Sequence, residues 1–429
     1  TKVTDPLNVK TTYTYDYAGN LVSSTDGNNH TTAYEYNSLN KLSSITDPSG
    51  KKIIYKYDRE GRMAQELDRK GDTIAYAYNS DDNLTIRNIT TGEKEQYLYG
   101  KDGNMLAAAN ISGIDEFQYT PDGLLLSRTR NGEPYISYEY NKNRDITKVA
   151  DGSGISTTYS YDLNGRLKTV SDNGSLIATY NYNIDSTLSN IIYNTGISVN
   201  YAYDKDKNIT NLINRNPQNG VIGEYSYTYD NYGNQSAKTE NGSTTTYAYD
   251  ELNRLKTVDY PSLGLETYTY DGAGNRLTKV SGSEDISYSY DERNRLTQSI
   301  NNGSKTSYTY DDNGNMTKLT KGENSTIYAY DGFNRLVEAT LPDGQFLYNE
   351  YDAFGLRTSM YENGTKYEFT LDRENVIAEN LGQDEAIRYI RGISLLARQD
   401  SAGNLAYYLH NAHGDVTNIV DGAGTILNS

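Results

Sequence analysis

A tyrosine recurs along this chain at a fixed interval, and few folds tolerate that. It falls at Tyr15, Tyr36, Tyr57, Tyr78, Tyr99, Tyr119, Tyr140, Tyr161, Tyr182, Tyr203, Tyr229, Tyr249, Tyr270, Tyr290, Tyr310, Tyr330 and Tyr351. All intervals but one are 20 or 21 residues; the exception, Tyr203 to Tyr229, is 26. Self-similarity at such a period marks a repeat architecture, in which each unit buries its apolar side against its neighbours. About 17 such units are expected over residues 1–350.

The unit is clearest from Tyr268 to Val280, YTYDGAGNRLTKV. Tyr268 and Tyr270 are two apart and project from the same face of a pleated strand. Asp271 is placed to accept a hydrogen bond from the backbone two residues on, and Gly274, ahead of Asn275, supplies the positive φ of a hairpin turn. Arg276 and Leu277 then begin a return strand on opposite faces. The three-residue step from Leu277 to Val280 breaks the alternation and predicts a bulge. Tyr268, Tyr270, Asp271, Gly274, Asn275, Arg276 and Leu277 are therefore the structural markers of one β-hairpin. The predicted fold is all-β: tandem antiparallel hairpins forming one long sheet ribbon. Eighteen periods of two strands, counting a degenerate copy at Leu371, give a ribbon of roughly 170 Å at about 4.8 Å per strand. Strand twist makes a sheet of that length coil.

The chain is polar, with 35% hydrophobic residues, yet 44 residues are tyrosine and none is tryptophan. Regularly spaced aromatics argue for order where polarity alone would suggest disorder. The apolar area is expected from cross-strand tyrosine ladders and thin leucine and valine stripes. A net charge of −17, with no basic block, argues against nucleic-acid binding. No apolar run is long enough to span a membrane. Absence of cysteine removes disulfides, thiolate nucleophiles and Cys-ligated metals.

The copies at Tyr99 and Tyr119 are degenerate, and their apolar return strands, Met105 to Ala109 and Leu124 to Leu126, are read as packing on a different partner, such as another turn of the ribbon. The 26-residue interval holds an insertion near 211–223, read from its Asn, Pro and Gly content as a surface loop. From Tyr351 the pattern loosens, and 351–429 reads as a distinct β segment. The pattern is cut at both ends, so a piece of something longer is expected.

The Y-x-Y-D-x-x-G-N-R-L unit at this period resembles the YD-repeat, or RHS-repeat, family, over Thr12 to about Glu362. Tyr389-Ile-Arg-Gly392, Leu395-Leu396-Ala397 and Tyr407 to Asp415 are similar to the start of the RHS-associated core that closes such arrays. The resemblance implies a ribbon coiled into a spiral shell or hollow barrel, as in Tc toxin subunits and teneurins. It also implies a structural scaffold of a secreted or surface-delivered bacterial toxin, whose partner is its own C-terminal toxin or cargo domain. The DPxGL-type autoproteolysis motif and the toxin domain of that family lie outside this sequence, so no enzyme is expected here. The alternative is a cell-surface adhesin or carbohydrate-binding array, with surface glycans or secretion machinery as partners.

Chemistry outside the repeat is sparse. Asp311-Asp312-Asn313-Gly314-Asn315 is rich in oxygen but lacks the glycine and glutamate spacing of a calcium loop, and is read as an Asx turn. His410 and His413, three apart, would face opposite sides of a strand, with no third strong ligand. His30 is read as a solvent-exposed turn residue. No catalytic residue, metal site or cofactor is expected.

Overall fold

The computed structural model describes residues 1–381 and 385–428. Its 42 strands, from Lys2–Thr4 to Ile426–Asn428, belong to one sheet, and none of the described residues is helical. Strands pair antiparallel with their neighbours in sequence, as in Gly264–Tyr270 with Arg276–Val280 and Lys52–Tyr57 with Met63–Leu67. Each period thus supplies two strands and two tight turns, as its tyrosine spacing predicts.

The bulge is present and has a fixed place. Thr269 opposes Thr278 while Tyr270 opposes Arg276, so Leu277 is the extra residue. The same shift recurs beside Tyr15, Tyr36, Tyr57, Tyr161 and Tyr330. One extra residue per repeat adds twist to every hairpin, which biases the ribbon towards coiling.

The insertion is not a loop. Ile209–Arg215 and Val221–Tyr229 are lengthened strands paired from Asn211 opposite Ser226 to Arg215 opposite Val221. Leu212 and Asn214 are buried, and only the turn around Asn216 to Gly220 uses the Pro and Gly content.

The chain forms two compact units, each built from two separate stretches. One comprises Thr1–Tyr97 and Thr246–Asn349, the other Leu98–Thr245 and Glu350–Ser429. In the first unit the two stretches meet largely through polar turns. The Asn28 amide donates to Asp271, 243 residues on, at 2.9 Å, and Gly332 N–H donates to Glu93 at 2.9 Å. A separation of 243 divided by a period of 20 to 21 is about twelve hairpins.

In the second unit the stretches share an apolar core. Seventeen buried residues form one cluster, drawn from Val170 to Tyr227 in the first stretch and Ile390 to Val420 in the second. Tyr407, Tyr408 and Leu409 are all buried, and Tyr193 Oη donates to the Tyr408 carbonyl at 3.2 Å. The sequence separation of partners falls from 241 at Asn110 and Tyr351 to 215 at Tyr193 and Tyr408, and to 178 at Gln235 and His413. Within this unit the return therefore shortens from about twelve hairpins to about nine. The strands Met105–Asn110 and Leu125–Arg130 do meet the other stretch, but through Asn110 and Arg128, while Leu106 and Leu126 of the apolar runs stay exposed. Ala108 is fully buried, Asn110 bonds the Tyr351 carbonyl, and Phe117 meets Phe354 edge-on at 5.9 Å.

Candidate functional site

The repeat residues form a relay that runs from one hairpin to the next. At the marker hairpin, Asp271 N–H donates to the Asn275 carbonyl at 2.9 Å, and Gly274 N–H to the Asp271 carbonyl at 3.2 Å. Asp271 Oδ1 accepts from the N–H groups of Ala273 and Asn275, and Oδ2 from the Asn275 and Asn28 amides. Gly274 sits at φ 92°, which a side chain disfavours. Burial works against the Asp271 charge, but the Asn275 and Asn28 amides and the turn N–H groups outweigh it and hold the carboxyl below its ordinary range.

The second tyrosine has a role that spacing did not disclose. Tyr270 Oη donates to the Leu255 carbonyl at 2.6 Å, one repeat upstream. Tyr36, Tyr57, Tyr78, Tyr140, Tyr161, Tyr182 and Tyr203 bond the carbonyl 15 residues before them in the same way. Where the tail loses that tyrosine, Arg391 Nε reaches the Val376 carbonyl instead, also 15 back.

Arginine completes the relay. Arg254 pairs with Asp250 at 2.7 Å and stacks on the Tyr270 ring at 4.5 Å. Arg62 and Arg166 do the same with Asp58 and Tyr78, and with Asp162 and Tyr182. Between these repeats the aromatic contact is arginine on tyrosine rather than the cross-strand tyrosine ladder expected from composition. Tyrosine–tyrosine stacking instead runs along single strands, as in Tyr138 with Tyr140 and Tyr201 with Tyr203. Arg276 departs from this scheme. It stands opposite Tyr270, where Leu21, Leu42 and Met63 stand in other copies, and lies over the Tyr288 ring at 4.6 Å. Leu277 is left largely outside, at 38% exposure.

Buried ion pairs fix the stretches within each unit. In the first, Asp47 lies between Arg69 at 2.9 Å and Arg293 at 3.1 Å, and Glu95 between Arg87 at 2.6 Å and Arg335 at 2.9 Å. In the second, Arg128 bridges Asp115 and Asp352, both at 2.9 Å, and Arg388 bridges Asp151 and Asp172. Paired buried charges add little net stability, but removing one partner is costly, so they specify register.

Several turns that lie against the other stretch carry a small residue directly after the turn residue, a signal the sequence reading missed, although the Asp311 and Asp291 turns carry Asp312 and Glu292 there. The small residues are Gly272, Gly332, Ala353, Gly392, Ala412 and Gly422. A Cβ on Gly272 would collide with the Gly27 carbonyl, and one on Gly332 with Thr91. The same position in first-stretch turns holds Tyr17, Leu163 and Ile184, each fully exposed.

Asp311 is an Asx turn, its Oδ1 accepting from Gly314 and Asn315 N–H groups, while Asp312 pairs with Lys51 at 2.8 Å. His30 is not solvent-exposed but half-buried, with Nδ1 3.6 Å from Asp26. His410 and His413 do not share a strand. His410 ends Leu405–His410, where burial lowers its pKa, and His413 sits in the next turn, bonded to Gln235 at 2.8 Å. Among the described residues no group of three or more His, Asp or Glu is placed to hold a metal ion.

Residues 1–73, in three overlapping copies, match the RHS repeat family, and residues 275–372 match the teneurin YD-shell family. No curated protein matches the chain. Among solved structures, a Tc holotoxin pore of Photorhabdus luminescens superposes with a TM-score of 0.78 at 15% identity, over 97% of this chain and 25% of the other. A TcdB2-TccC3-TEV crystal structure superposes with a TM-score of 0.75 at 15% identity, over 98% of this chain and 27% of the other. The TcdB2-TccC3 crystal structure gives 0.66 at 14% identity, over 98% of this chain and 28% of the other. This chain spans about a quarter of the length of the solved chains it matches. The repeats at 1–73 and 275–372 thus match RHS and YD-shell models, and the fold is the antiparallel β-spiral of the Tc toxin shell.

Proposed function

We propose that this chain is a non-catalytic shell segment of a large bacterial toxin, secreted or delivered at the cell surface, that encloses and helps deliver a C-terminal toxin or cargo domain. The observation that carries the reading is the fold match to a Tc holotoxin over 97% of the chain. The repeat residues support it, because their polar groups are engaged with one another. Tyrosine hydroxyls bond carbonyls, turn carboxylates bond N–H groups, and arginines pair and stack. Such residues build a wall. Residues 1–350 would serve as the repeat array and 351–429 as the start of the core-like segment that closes it. The burial of Tyr407, Tyr408 and Leu409 against the earlier stretch fits a closing role.

Small-angle scattering on the purified protein tests the reading. A pair-distance distribution with a depleted centre is expected. A thin rod near the ribbon length would contradict enclosure and favour the adhesive or sugar-binding array.

A further inference from the structure

Arginines at the contacts between stretches meet carboxylates, whereas Arg391 meets none within ion-pair distance among the described residues. Arg69, Arg128, Arg130, Arg293, Arg335 and Arg388 each meet a carboxylate within 3.1 Å or less through at least one nitrogen. Arg391 is half-buried, and its one hydrogen bond runs from Nε to the Val376 carbonyl. Its terminal nitrogens carry no ion pair among the described residues. Withdrawing a guanidinium from water without a carboxylate is costly, and its planar fork is shaped for one.

Arg391 lines a cleft of about 270 Å³ that opens where the repeat degenerates. The turn after Arg391 is short, closed by Gly392 N–H to the Ser394 carbonyl at 2.8 Å, and Ile393 beside it is 60% exposed. Tyr159 and Tyr389 contribute rings, while Asn375, Thr157 and Ser394 contribute polar groups. Of the other charges on the wall, Arg388 and Asp151 pair with each other and Arg388 also holds Asp172, while Asp372 accepts one hydrogen bond, from Tyr138 Oη at 2.8 Å. The volume lies just under the roughly 300–1,000 Å³ of drug-sized sites, which suits a small ligand.

We propose that this cleft binds a small carboxylate borne on a six-membered ring, with the carboxylate on Arg391 and the ring against Tyr159 and Tyr389. The site stands independently of the shell reading. Sugar acids and aromatic acids share this chemistry, and the experiment separates them. Ligand-observed saturation-transfer NMR on the whole protein, titrated with D-glucuronate and with benzoate, is compared with the neutral D-glucose and benzyl alcohol. Saturable transfer to one or both acids, absent for the neutral compounds, is expected, and the acid that binds identifies the source. Arg391→Gln should abolish binding. Because Arg391 also holds a backbone carbonyl, Arg391→Lys serves as the variant that keeps the charge and loses the fork, and should weaken binding about ten-fold. No transfer to either acid, equal transfer to the neutral compounds, or unchanged affinity in Arg391→Lys would overturn the proposal.

Discussion

Each residue of the repeat answers a local physical demand, and the second tyrosine answers two. Its ring stacks on the arginine of the preceding turn, and its hydroxyl donates to the Leu255 carbonyl beside the bulge of the preceding hairpin. Cation–π contacts at such partly exposed sites contribute about 0.5–1 kcal/mol, and a hydrogen bond about 0.5–1.5 kcal/mol net. Tyr270→Phe keeps the ring and removes only the hydroxyl. It should cost about 1 kcal/mol in urea unfolding, with the slope of the transition unchanged. A loss several times larger would mean that the hydroxyl holds more than the Leu255 carbonyl.

At the scale of the hairpin, the sequence fixes the element more fully than its neighbours. Asp271, Gly274 and the tyrosine pair predict the strand, the turn and the bulge, because those are set by residues within a few positions of one another. The insertion misleads because Asn, Pro and Gly were read as loop across thirteen residues, whereas only Asn216 to Gly220 turns and Leu212 and Asn214 continue a buried strand. What the hairpin lies against is a contact over 200 residues away, and a period of 20 to 21 says nothing of how many hairpins pass before the ribbon returns. At turns such as Asp271 and Asp331, the small residue after the aspartate is the trace such contacts leave. Gly272→Ala should therefore destabilise by about 1–3 kcal/mol through overpacking on Gly27. Leu163→Ala, at the same position of an uncovered turn, should stay within about 0.5 kcal/mol. Equal effects, read from urea unfolding of the two variants, would remove the distinction between covered and uncovered turns.

For the molecule as a whole, tyrosine takes the place that leucine and valine fill elsewhere, and this makes stability sensitive to alkali. Burial pushes the Tyr76 hydroxyl up to about 12, with the Glu66 carboxylate adding to it, and burial also raises Tyr138, Tyr159, Tyr180 and Tyr193. A group whose folded pKa exceeds its unfolded value of about 10 stabilises fully below that pH and loses its contribution as pH rises through the folded value. The tyrosinate absorbance of these buried residues should accordingly appear together with loss of β circular dichroism above pH 10, as a phase separate from that of exposed tyrosines such as Tyr17 and Tyr232. Turn aspartates act in the opposite window. Asp47 and Asp271 are held below their ordinary values, so their contribution is present above about pH 3.9 and fades as pH falls below it.

Within a unit the ribbon returns to lie against itself, turn on turn. Lys51 Nζ and Asp312 Oδ2 are 2.8 Å apart, both half-exposed and 261 residues apart in sequence. Lys52 and Glu35, also 2.8 Å apart, lie within a single stretch and serve as an internal standard. Zero-length carbodiimide cross-linking of the unmodified protein, read by mass spectrometry, should yield both amides. Recovery of Lys52–Glu35 without Lys51–Asp312 would contradict the layered ribbon.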